Sequence, residues 1–181
     1  FCLISSSVYI FNDLADVEAD RQHPEKKNRP IASGRLPVPV AWTAGILLAA
    51  ITLITGYLLA PSFGYVIGLY FLINMAYSKW LKHIAIIDVL VISAGFVLRV
   101  LGGAAAIGVE VSSWLVLCGT FLALFLAFSK RRHELMLMAE GAVHQRRVLA
   151  DYSPVFLDQM INVVTASTVV CYALYAASAE T

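Results

Sequence analysis

Residues 12–30, NDLADVEADRQHPEKKNRP, concentrate the charge of this chain. Asp13, Asp16, Glu18 and Asp20 fall within eight residues, and Arg21, Lys26, Lys27 and Arg29 follow within the next nine. The sequence on both sides is apolar. Charges at the mouth of an apolar segment are costly, and the chemistry that offsets the cost is a polyanionic substrate held with a divalent metal. On a continuous helix Asp13 and Asp20 lie roughly 20° apart, with Asp16 within about 60° of Asp13. Asn12 and Asp16 form an i, i+4 pair. One face then offers three carboxylates and an amide, while Glu18 points toward solvent. Carboxylates on adjacent turns, completed by water and phosphate oxygens, suit Mg2+. Asp13, Asp16 and Asp20 are the candidate ligands. The plainer reading is a run of acids capping a surface helix.

A second polar cluster is YSKWLKHIAIID, with Tyr77, Lys82 and Asp88. Asp88 lies about one turn inside an apolar segment. An ionisable group there costs roughly 2.5–3.5 kcal/mol unless it is paired or hydrated. The reading is a substrate or metal contact; the alternative is a buried pair with Lys82 or another basic group. Arg99, eleven residues later, falls on the same face, roughly 20° away and roughly 16 Å deeper. It binds a phosphate, forms a polar wall, or snorkels to the far interface. Lys130, Arg131, Arg132, His133 and Glu134 end another apolar run. The basic members suit a helix C-terminus or bidentate phosphate binding. Tyr152 reads as an interfacial aromatic, or as part of the same cavity mouth. His23, His83 and His144 read as solvated. Cys2, Cys118 and Cys171 are far apart, with no metal or disulfide spacing.

The elements that must position these residues are membrane helices. The chain is 60% hydrophobic, with a mean hydropathy of +0.78, well above soluble composition. The pattern predicts an all-α, polytopic membrane bundle. Residues 1–20 read as the end of a spanning helix running into the acidic motif, broken by His23-Pro24. A basic loop covers 21–37. Further spans are expected at 38–59, 63–77, 84–107, 114–129 and 154–177, near the roughly 20 residues that a span needs. A polar stretch covers 130–153. The count is five complete spans plus the end of another, in one transmembrane domain over 1–181 that continues beyond both ends. Of the 13 Lys and Arg residues, 12 lie in loops 21–37, 78–83 and 130–153, which alternate to one side. Only Arg99 lies elsewhere. The positive-inside rule puts these loops in the cytoplasm. For Arg35, Arg146 and Arg147 topology alone accounts for the charge.

The pattern Asn12-Asp13-x-x-Asp16-x-x-x-Asp20-Arg21, followed by Lys27-x-Arg29-Pro30-Ile31, resembles the first aspartate-rich motif of the UbiA superfamily of intramembrane prenyltransferases. Members are helical bundles, typically of nine spans, around a cavity that holds a Mg2+-bound diphosphate; this chain would cover roughly the second to the seventh. The set Tyr77-Ser78-x-x-Leu81-Lys82, Asp88, Gly95-Phe96-x-x-Arg99, Lys130-Arg131-x-x-Glu134-Leu135 and Leu149-x-x-Tyr152 is similar to the decaprenyl-phosphate phosphoribosyltransferase branch. A second DxxxD motif, usual in members with aromatic substrates, is absent.

The resemblance implies transfer of 5-phosphoribose from 5-phosphoribosyl 1-diphosphate to polyprenyl (decaprenyl) phosphate. Diphosphate is released, and the product is a cell-wall arabinan precursor. The nucleophile is already an anion and needs no general base, which agrees with the absence of a Ser/His or Cys/His pair. Mg2+ on Asp13, Asp16 and Asp20 would neutralise the leaving group. Asp16, Asp20 and Asp88 are the candidate catalytic carboxylates. Asn12, Arg21, Lys27, Arg29, Tyr77, Lys82, Arg99, Lys130 and Arg131 are the candidate substrate contacts. The implied setting is the plasma membrane, multi-pass, with the site on the cytoplasmic side and no nucleic-acid partner. One alternative is a UbiA-type enzyme that moves a prenyl group from prenyl diphosphate to an aromatic or quinone-precursor acceptor. Another is a transporter with an acidic ion site. Transporter sites sit near the midplane on broken helices, whereas these acids lie at a helix end beside basic residues.

Overall fold

The structure is a computed structural model that describes residues 1–139 and 147–178. Seven α-helices follow one another: α1 Cys2–Ala15, α2 Val17–Gln22, α3 Val38–Leu59, α4 Pro61–Lys79, α5 Ile87–Ile107, α6 Ser113–Ala139 and α7 Pro154–Ser178. Single 3-10 turns at Lys26–Asn28, Leu81–His83 and Arg147–Asp151 lie in the connections. The expectations on His144 and Arg146 lie outside the described residues.

Residue types at the helix ends explain the boundaries. Pro39 sits in the first turn of α3 and Pro61 in that of α4, where a missing N–H costs nothing. Gly108 closes α5 in the left-handed region at φ 68°. The Ser153 hydroxyl accepts the Phe156 N–H and caps α7.

Consecutive helices pack side by side from α3 to α7, and α1 lies against both α3 and α4. The α3 seam is a stripe of small residues: Ala41, Gly45, Ala49, Thr52 and Gly56 are its buried positions. Small residues at this spacing let helix backbones approach, the usual packing mode where lipid removes the hydrophobic drive between helices. One apolar cluster joins α1, α3, α4 and α5 through Ile4, Val8, Ala49, Phe63, Ile67, Tyr70 and Leu98. A second joins α5, α6, α7 and the turn before α7 through Val89, Phe128, Leu149, Tyr152 and Leu157. Large apolar side chains elsewhere, such as Leu58, Leu72, Ile107 and Val169, are exposed, as lipid-facing positions are.

Two expectations are corrected. Residues 1–20 are not one continuous helix: the backbone turns at Asp16, at φ −105° and ψ 10°, and α2 starts afresh. The polar stretch expected from Lys130 onward is helical to Ala139, because Lys, Arg, Glu, Leu, Met and Ala are all good helix formers. Among the described residues, four helices are long and apolar enough to cross a membrane: α3, α5, α6 and α7. The expected span at 63–77 lies in α4, which is 19 residues long. It falls short of that group because Tyr70, Asn74, Tyr77 and Ser78 give it a polar face, and that face lines a cavity.

Candidate active site

The acidic motif ends α1, and the basic loop folds back over it. Ile31 and Ala32 are buried, and Ile31 packs with Leu14 and Ala41, which returns Arg29 to the carboxylates. Arg29 Nη1 lies 2.8 Å from Asp13 Oδ1 and 2.8 Å from Asp20 Oδ2. A single nitrogen thus serves two carboxylates, and Asp20 is only 4% exposed. Asp16, at the turn between α1 and α2, pairs with Lys82, itself 6% exposed. The Ser78 hydroxyl bonds Asn12 Oδ1 at 3.2 Å. The first motif and the YSKWLK segment, 66 residues apart, therefore meet at one end of the bundle.

Beside them is a cavity of about 430 Å³ between α1, α4, α5 and α6. Of the residues singled out from sequence, Asn12, Asp13, Arg29, Tyr77, Arg99, Lys130 and Arg131 line it. Its charged wall is four basic side chains and one acid. Asp16, Asp20, Lys82 and Asp88 do not line it. Arg21 and Lys27 are exposed and lie outside it; Arg21 pairs with Glu18 at 2.7 Å and bonds the Ala32 carbonyl. Sequence reasoning missed Tyr9, Tyr70 and Asn74, which also line the cavity. Spacing alone offered no signal for them, since tyrosine and asparagine in apolar helices serve equally as packing residues. Arg99 is held by the Tyr70 hydroxyl at 3.0 Å and lies against the Tyr70 and Phe96 rings, so it faces the cavity rather than snorkelling outward.

Asp88 is fully buried. Its Oδ2 pairs with Arg131 Nε at 2.8 Å, and its Oδ1 accepts the Tyr152 hydroxyl at 2.5 Å. Arg131 is 1% exposed and also pairs with Glu134, one turn along α6. The Tyr152 oxygen accepts the Ile86 N–H at 2.6 Å. Burial, then the bond to Asp88, push the Tyr152 hydroxyl well above its ordinary pKa, so it stays protonated and donates. Asp88 thus takes the alternative open to it in the sequence, a buried pair, with Arg131 rather than Lys82. Tyr152 is a buried anchor rather than an interfacial aromatic.

Asp13 and Asp20 converge on one positive centre. Two hard carboxylate oxygens around a cation are the protein's usual share of a magnesium site, with waters and phosphate oxygens completing it. Among the described residues no three His, Cys, Asp or Glu side chains form a metal-binding group on their own, and Asp16, expected as a third ligand, is turned to Lys82. The donor chemistry fits Mg2+.

Apolar helices of spanning length around a cavity walled by basic side chains mark an integral membrane protein. The chain belongs to the UbiA prenyltransferase family, whose model matches residues 1–178. It is 37% identical over 180 residues to a decaprenyl-phosphate phosphoribosyltransferase of Mycolicibacterium smegmatis, covering 99% of this chain and 57% of that protein. It is 37% identical over 177 residues to the protein of the same name from Corynebacterium glutamicum, covering 97% and 53%. The chain therefore spans about half the length of these relatives. Its fold matches a UbiA homolog from Archaeoglobus fulgidus bound to DMAPP and Mg2+, with a TM-score of 0.80 at 20% identity, over 95% of this chain and 62% of that one.

Proposed function

We propose that this chain belongs to a transferase that moves 5-phosphoribose from 5-phosphoribosyl 1-diphosphate to a polyprenyl phosphate. The observation that carries the reading is the cavity wall, with Arg29, Arg99, Lys130 and Arg131 against a single acid, Asp13. Four basic side chains facing one cleft offer several charge-assisted donors to phosphate oxygens. Relatives named for the phosphoribosyl reaction at 37% identity point the same way.

Mg2+, held by Asp13 and Asp20 with Asp16 adjacent, would supply charge neutralisation on the leaving diphosphate. The protein's own groups do the rest. Arg29, Lys130 and Arg131 hold phosphate oxygens near Asp13 through charge-assisted hydrogen bonds. Arg99, fixed by Tyr70, offers a second cation on the same cavity for the ribose 5-phosphate or the lipid phosphate. The lipid phosphate oxygen attacks the anomeric carbon as the bond to diphosphate breaks. No proton has to be removed from the nucleophile. The unit works as one transmembrane domain in the plasma membrane, with the cavity mouth facing the cytoplasm.

The test uses full-length protein in membranes with Mg2+, polyprenyl phosphate and radiolabelled 5-phosphoribosyl 1-diphosphate. Label is expected in the lipid phase, and is lost with EDTA and at least a hundredfold reduced in Asp13→Ala, within the range for a group that stabilises transferring phosphates. A folded protein that leaves the lipid unlabelled would sink the reading. Label transfer from a prenyl diphosphate to an aromatic acceptor would install the prenyl alternative instead.

A further inference from the structure

We propose that Asp88 and Tyr152 are positioning residues for Arg131, and that together they set its guanidinium in the cavity wall as an anion contact. The inference rests on the reading of the cavity as a phosphate site.

The geometry is a relay of five groups from three parts of the chain. The Ile86 N–H donates to the Tyr152 oxygen at 2.6 Å, and the Tyr152 hydroxyl donates to Asp88 Oδ1 at 2.5 Å. Asp88 Oδ2 pairs with Arg131 Nε at 2.8 Å, and Arg131 Nη1 pairs with Glu134. Arg131 belongs to the cavity wall, whereas Asp88 and Tyr152 do not. Asp88 holds the Nε side of the guanidinium by an ion pair outside hydrogen-bond geometry, and Glu134 bonds Nη1, so two carboxylates bracket the group and restrict where it stands. Arg131 is the one basic residue of that wall that is fully buried.

Stability does not account for such an arrangement. A buried ion pair must repay the desolvation of both charges, and apolar replacements of the same volume are often neutral or better. The relay also maintains backbone strain. Ile86 has φ 69°, a genuine outlier for a β-branched residue, and its N–H is held by the Tyr152 oxygen. Outliers of this kind persist where the surroundings over-determine them, typically at functional sites. Helix α5 starts at Ile87, so the strained residue sets where Asp88 enters the bundle. One phenolic oxygen thus fixes both the strained residue and the carboxylate that aims Arg131.

The test is binding of inorganic pyrophosphate with Mg2+ to full-length protein in nanodiscs. Pyrophosphate is released under either transferase reading, so the result does not depend on which sugar or prenyl group is moved. Tyr152→Phe keeps the ring and its stacking on Phe156 while removing both hydroxyl bonds. It should weaken pyrophosphate about tenfold, and Arg131→Ala by ten- to a hundredfold, the range for losing a hydrogen bond to a charged group. Asp88→Asn should behave like Tyr152→Phe. The double variant Tyr152→Phe with Arg131→Ala should bind no more weakly than Arg131→Ala alone, because the tyrosine acts through the arginine. Arg131→Lys, which keeps the charge and loses the fork, serves in the same cycle if the alanine variant does not fold. Arg132→Ala, whose partner is the exposed Asp158, should leave the affinity unchanged.

Unchanged affinity in Tyr152→Phe, multiplying losses in the double variant, or wild-type protein that does not bind pyrophosphate would each overturn the proposal. A protein that binds pyrophosphate with the expected pattern, yet does not label lipid from phosphoribosyl diphosphate, would overturn the phosphoribosyl reading alone.

Discussion

Arg29 places one nitrogen 2.8 Å from carboxylate oxygens of both Asp13 and Asp20, so a cation of the protein already stands where a metal would be shared. Removing it leaves the buried Asp20 without its partner. Arg29→Ala should lower stability in metal-free buffer by about 1–3 kcal/mol, the cost of stranding a buried acceptor, read as a melting shift in detergent. If Asp13 and Asp20 are the metal carboxylates, added Mg2+ should raise the melting temperature of Arg29→Ala more than that of wild type, since binding to the folded state alone stabilises it. Equal shifts would show that the metal does not use these two. At this scale the aspartate motif was legible in the sequence, because Asp13, Asp16 and Asp20 lie close along one stretch with basic residues following. Asp88 was legible as a residue needing a partner. Its partners were not, since Tyr152 lies 64 positions away and no local spacing connects them. The outward turn of Arg21 was equally hidden: its carbonyl partner, Ala32, is fixed only once the loop has folded back.

Apolar run lengths announced α3, α5 and α7 to within a few residues, because a span must match the bilayer and a charge within one is costly. The failures came where helices serve the site. α1 bends at Asp16, which pairs with Lys82. α6 runs ten residues past Ser129, carrying Arg131 to Asp88. How closely helices approach was also invisible in periodicity. A Cβ on Gly64 would lie 2.7 Å from the Tyr57 Cα, a backbone atom that cannot step aside, whereas one on Gly103 would meet nothing within 4 Å. Gly64→Ala should therefore force α3 from α4 and cost about 1–3 kcal/mol, as overpacking does. Gly103→Ala should be neutral or stabilise by up to about 1 kcal/mol through helix propensity. Thermal unfolding of both variants in one detergent checks the pair, and a Gly64→Ala protein as stable as wild type would refute the close approach.

For the whole molecule, the seam between α1, α4, α5 and α6 creates the cavity, and the lipid-facing exterior dictates where the cavity can work. A polyanionic donor is water-soluble and a polyprenyl acceptor is not, so a transferase joining them needs one cavity reached from both phases. The basic loop 21–37 and the α4–α5 connection lie at the cavity's acidic end, through Arg29 and Lys82. The turn between α5 and α6, with Glu110, carries no Lys or Arg. Charge bias orients such loops with the basic set in the cytoplasm, where a phosphorylated sugar donor would be met. The prediction is a topology. Cys2, Cys118 and Cys171 are first replaced by serine, and single cysteines are then introduced at the exposed Glu25 and Glu110. In intact cells a membrane-impermeant thiol reagent added outside should label Glu110→Cys and spare Glu25→Cys, and in inverted vesicles the pattern should reverse. Labelling of Glu25→Cys from outside would put the acidic end of the cavity away from the cytoplasm, and with it the donor. The bundle could then stand unchanged while the proposed reaction lost its supply of phosphoribosyl diphosphate.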